Sequence, residues 1–175
     1  MDAISVLREN LQESHELLEG TVEGVGDEAT HWAPPGTANP LGATYAHVVV
    51  SEDMVVNGML GGRSPMAMGS WAGRTGLSEL PPSDADWGAW ARRVRVDLAA
   101  LRQYAHAVYA ASDEYLRSLS PDALSLSVDL SARGLGQRSL AWLIRGVALN
   151  AYVHGGEISC LKGLQGLRGY PVEPS

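Results

Sequence analysis

From Leu140 to Glu157 the chain reads LAWLIRGVALNAYVHGGE, and up to Val153 its only charge is Arg145. At about 100° per residue, Leu143, Val147, Asn150, His154 and Glu157 fall on one face of a helix, and Ile158 and Leu161 extend that face. The apolar members mark the face that turns into a core. Three polar side chains interrupt it, and buried polar groups are costly unless they are paired or hold something. This stretch is therefore read both as the last helix of a helical core and as the place to look for a site.

Working outward, three more helices are expected. The first covers about Asp2 to Glu23, with Ile4, Leu7, Leu11, His15 and Leu18 at three- and four-residue spacing, and Gly24 and Gly26 end it. The second follows Asn39-Pro40, read as N-cap and first-turn proline, and runs to about Leu60. The third starts near Ser83-Asp84, takes Asp86 into its first turn and reaches about Leu119, before Pro121. The fourth spans about Ser139 to Lys162 and stops at Gly163. The long connection 61–82 marks a functional or bundle-spanning loop. LSLSVDLSARG, residues 124–134, alternates like a short extended piece. The expectation is an all-α four-helix bundle with long crossover loops, forming one domain over residues 1–175.

A net charge of −7 argues against nucleic acid, because a phosphate-binding surface needs clustered Lys and Arg. Arg92, Arg93 and Arg95 are the one basic cluster and are read as a solvated helix face. The single cysteine, Cys160, rules out an intrachain disulfide, suits a reducing cytoplasm and is read as structural. No signal-like N-terminus and no apolar run of about 20 residues is present, so no membrane association is expected.

His47 is a second polar intruder, sharing its helix face with Ala43, Val50 and Met54. One histidine on an apolar face is usually a hydrogen-bonded core residue. Two on separate helices raise the prospect of a divalent metal, held by inward His, Glu or Asp side chains. His47 and His154 supply two imidazoles, with Asn150, Glu157 or Asp53 as candidates for the third ligand. His15 is read as core or pocket lining, His106 as a group that could face the same cavity, and His31 as exposed or packing. Trp71, Trp87, Trp90 and Trp142 are read as packing anchors. The GLQGLRGY tail lacks the strand and the Gly-Lys-Ser/Thr of a phosphate loop. No catalytic triad is legible.

The order of these segments resembles the DinB/YfiT-like four-helix bundle superfamily. The resemblance rests on ATHWAPPGTANPLGATYAHVVVSED (residues 29–53) and HGGEISCLKGLQG (residues 154–166). Trp32-Ala33-Pro34 matches the family's W-x-P, His47 its helix-two histidine, and His154 the second histidine of its H-x-x-x-H. Asn150 stands where the first should be. The resemblance implies a divalent ion such as zinc or nickel, and an enzyme acting with a low-molecular-weight thiol on an electrophile, of transferase, isomerase or hydrolase type. An amide oxygen replaces imidazole poorly on zinc. Two outcomes follow: Glu157 completes a His47–His154–Glu157 metal set, or the metal is lost and Asn150, His154 and Glu157 form a hydrogen-bonded network. The second outcome implies a non-catalytic small-ligand-binding or interaction protein. Trp142, Leu149, Tyr152 and Val153 lie outside the inward stripe and are read as a homodimer face.

Overall fold

The computed structural model describes residues 2–82 and 86–171, and they form a mostly helical, all-α protein. The first long helix, α1 (Ala3–Val22), begins where the Asp2 carboxylate accepts from the Ser5 N–H, and Gly24 at φ +69° follows its end. A short α2 (Asp27–His31) leads to α3 (Leu41–Asp53), which continues as a π-helical stretch over Met54–Leu60. Asn39 does not cap this helix: the cap position falls on Pro40, no side chain caps, and among the described residues Asn39 Oδ1 has no hydrogen-bond partner.

The expected third helix is two helices. Its proposed start at Ser83-Asp84 lies outside the described residues. Helix α4 (Trp87–Ala91) is capped by Asp86, and α5 (Leu98–Arg117) by Asp97, whose carboxylates accept from the Ala89 and Ala100 N–H groups. Between them the chain straightens, and the loop at 76–78 supplies the backbone partners: Ser78 N–H donates to Arg95 C=O, and Asp97 N–H to Gly76 C=O. Gly76 has φ +79°, and a Cβ there would sit 2.5 Å from the Leu101 nitrogen, so the approach requires glycine. The arginines are accordingly not one solvated helix face. Arg92 donates to the carbonyls of Gly36 and Ala38, and Arg93 pairs with Glu79 at 2.7 Å.

The alternating segment forms a small antiparallel hairpin, β1 (Ser127–Asp129) with β2 (Gln137–Ser139), Val128 opposite Arg138. Ser139 then caps α6 (Leu140–Leu164), its Oγ accepting from the Trp142 N–H. Gly163 lies inside α6, and the chain turns at Gly166, φ +73°.

Helix α6 packs on α1 and α3, and α5 packs on the same two helices from another side. Leu18, Tyr45, Val49, Leu101, Tyr104 and Ile158 are among the side chains of the main core. On α6 the deepest stripe runs through Ile144, Ala148, Ala151, Gly155, Ile158 and Lys162. Leu143 and Val147 are buried beside it as expected, but Asn150, His154 and Glu157 are only half-buried, on the edge that faces α3. No helix among the described residues is long and apolar enough to cross a membrane.

Candidate functional site

His47 stands on α3 and His154 on α6, and the packing of these two helices brings their imidazoles together. The ring centroids are 5.0 Å apart and the planes nearly perpendicular. The Glu157 side chain, three residues along α6, places Oε2 2.7 Å from His154 Nδ1. A neutral His154 that donates its Nδ1–H to this carboxylate keeps its Nε2 lone pair free. His47 Nδ1 lies 3.4 Å from Ser51 Oγ on the same helix. Burial pushes the His47 imidazole below its ordinary pKa, and the neighbouring His154 pushes it the same way, while Glu157 opposes both.

The site has two hollows with His47 as their common wall. One, of about 150 Å³, is bounded by Asn39, Trp87, Trp90, His154 and Glu157. Trp87 meets His47 edge-on at 4.6 Å and Trp90 at 5.2 Å. The other, of about 240 Å³, lies between Ser51, Glu52 and Val55 of the α3 rod and Trp142, Val147 and Asn150 of α6. Trp142 thus lines a cavity, with the Arg138 guanidinium 5.4 Å from its ring, and is not part of an outer apolar face. Leu149 and Val153 do remain on that face, 48% and 66% exposed.

A resident metal would need a third protein donor here. Glu157 reaches His154 Nδ1, the position of a brace behind a ligand and not of a ligand. Among the described residues, no three His, Cys, Asp or Glu side chains come together so as to hold a metal ion. The set His47, His154 and Glu157 is gathered in space but not arranged as three donors, so it does not fit a three-ligand centre.

The remaining candidates lie elsewhere. His15 is buried, its Nε2 2.8 Å from Glu52 Oε2 and its ring stacked on Tyr109 at 3.7 Å. It borders a separate cavity of about 330 Å³ between α1 and α5. His106 is exposed on that same side, 3.8 Å from Glu19, and so does not face the His47 hollows. Asp53 is fully buried and saturated: it accepts from Asn57 Nδ2, the Met66 and Ala67 N–H groups and the Tyr104 hydroxyl. That carboxylate fastens the crossover loop to α3 and α5. Cys160 is exposed, against the structural reading given to it.

Sequence periodicity missed four contributors. Trp87 and Trp90 were read as packing anchors, and the short α4 sets Trp87 edge-on against His47. Asn39, read as a cap, instead borders the smaller hollow. Glu52 carries no local signal, because its partner His15 comes from α1.

Comparison with known proteins places the family and the fold. A family model described as DinB superfamily matches residues 10–158. A crystal structure of a conserved protein from Enterococcus faecalis superposes with a TM-score of 0.77 at 20% identity, covering 94% of this chain and 97% of that one. That likeness extends to the fold. No curated protein matches. With the family model spanning most of its length, the chain belongs to the DinB superfamily.

Proposed function

We propose that this chain is a four-helix bundle that binds a small molecule between α3 and α6, with no resident three-ligand metal. The observation that carries the reading is the 2.7 Å contact of Glu157 with His154 Nδ1, which sets the carboxylate behind the ring as a brace, away from the place of a third ligand. In this arrangement Glu157 sets the ring orientation of His154, and the Nε2 of His154 is the group left for a ligand's hydrogen-bond donor. His47 and Asn150 complete the polar wall, and Val55, Trp142 and Val147 supply apolar surface.

A second reading is a divalent-metal-dependent enzyme, of thiol transferase, isomerase or hydrolase type. One observation favours it: two imidazoles on one tetrahedral zinc ion, each nitrogen ~2.0–2.1 Å from the metal, have centroids about 5 Å apart, as His47 and His154 do. It would need a ligand beyond those two rings.

Metal content of protein purified without chelator or polyhistidine tag separates the readings. The first expects well under about 0.1 equivalent of zinc or nickel, with no tight rebinding. Near-stoichiometric metal in the wild type, lost in both His47→Ala and His154→Ala, overturns it in favour of the second. The exposed Leu149 and Val153 support self-association through the outer face of α6 in either case.

A further inference from the structure

The smaller hollow has a chemical bias that the two histidines alone do not convey. Its walls are aromatic: the indoles of Trp87 and Trp90 stand at 73° to each other, and the imidazoles of His47 and His154 close the adjoining sides. No Arg or Lys is among the described residues that line it. Its other polar residues are Asn39, Thr44 and Glu157, and the Thr44 hydroxyl is spent on the Pro40 carbonyl. Glu157 carries a carboxylate of which Oε2 faces His154, and among the described residues the buried Asn39 Oδ1 has no hydrogen-bond partner.

An anionic ligand would meet the Glu157 carboxylate with no cation to answer it. A purely apolar one would leave the Asn39 and Glu157 oxygens unmatched. Indole faces and a carboxylate are what a diffuse positive charge needs, through the ring quadrupoles and direct attraction together. The volume of about 150 Å³ suits a compact head group. The neighbouring 240 Å³ hollow beyond His47, lined by Val55, Trp142, Leu143 and Val147, offers room for an apolar remainder.

We propose that the Trp87–Trp90–His47–His154 recess binds the head of a small organic ammonium ion, with the Glu157 carboxylate as counter-charge. This rests on the reading of the α3–α6 region as a small-molecule site, and it adds the ligand's charge and shape. The nitrogen centre sits against the Trp87 ring, and the apolar portion extends past His47 toward Trp142.

The test uses choline and its uncharged isostere 3,3-dimethylbutan-1-ol, titrated into the full chain by NMR with the imidazole and indole resonances as readout. Choline is expected to bind about tenfold or more tightly than the alcohol, shifting His47, His154 and Trp87. Trp87→Leu is expected to weaken choline about tenfold, and Trp87→Phe by a smaller factor. If Trp87→Leu fails to fold, Trp87→Phe and Glu157→Gln carry the comparison, the latter weakening choline but not the alcohol. Equal binding of both probes, with shifts at His47 and His154, overturns the cation assignment and leaves the small-molecule site standing. Choline binding unchanged in Trp87→Phe and Glu157→Gln also overturns it. No shift at His47 or His154 with either probe overturns both readings.

Discussion

Asp53 and Glu157 are both carboxylates on long helices, and they serve opposite ends. Asp53 is fully buried and receives four donors, two from the crossover backbone, one from Asn57 and one from Tyr104. Glu157 is half-buried and has one close partner, His154 Nδ1. Glu19 belongs with Asp53: the hydroxyls of Tyr45 and Tyr109 and the Arg102 guanidinium converge on it. Burial holds those two tyrosine hydroxyls well above their ordinary pKa, with Glu19 adding to it, so they remain donors at any working pH. A carboxylate whose oxygens are filled by its own chain is architecture. One with capacity to spare, beside a hollow, is available to something else.

The comparison breaks most visibly at Asp53. Replacing it with alanine strands several buried donors, and the expected cost is about 3–5 kcal/mol in urea denaturation. A loss below about 1 kcal/mol would mean that the loop is anchored by other contacts. His47 gives a smaller, pH-dependent effect. Its folded pKa lies below the ordinary 6.5, so the unfolded chain binds more protons in the window just under that value. Stability contributed by neutral His47 is therefore present above pH 6.5 and is lost as the pH falls through 6.5 toward the folded value. Thermal melts from pH 8 to 5 should show a steeper acid loss in the wild type than in His47→Gln; parallel curves would count against a buried neutral ring. Glu157→Gln should cost least, under about 1 kcal/mol for a half-exposed pair. Its mark should instead be a changed ring-nitrogen pattern of His154 by ¹⁵N NMR. An unchanged pattern would show that Glu157 does not set the tautomer.

The long helices were legible because apolar spacing and end signals act locally. Leu7, Leu11 and Leu18 mark α1, and Gly24 in the left-handed region ends it. The break between α4 and α5 was not legible, because residues 95–97 are held extended by partners at 76–78, which no local pattern shows. In the site, His47, His154 and Glu157 were found by their conflict with an apolar face, and the structure does gather them. Their depth was misjudged: the true inner stripe of α6 is centred on Ala148, Ala151 and Gly155, buried small residues that look unremarkable in sequence. His15 met the same criterion of polarity on an apolar face, His106 was a group that could face the cavity, and Asp53 was a candidate third ligand. Their partners Glu52, Glu19 and Tyr104 come from other helices, so their roles depend on packing.

The short α4 has a consequence for how such a site changes over generations. The imidazole wall is carried by α3 and α6, whose packing the core depends on. The Trp87 wall is carried by a five-residue helix with its own cap at Asp86 and its own tethers through Arg92 and Arg93. The recess therefore has two separately heritable halves. A substitution at half-buried Trp87 can alter the aromatic wall while leaving His47 and His154 in place, whereas Trp90 and Ala91 are buried in the main core and tie the far end of α4 to it.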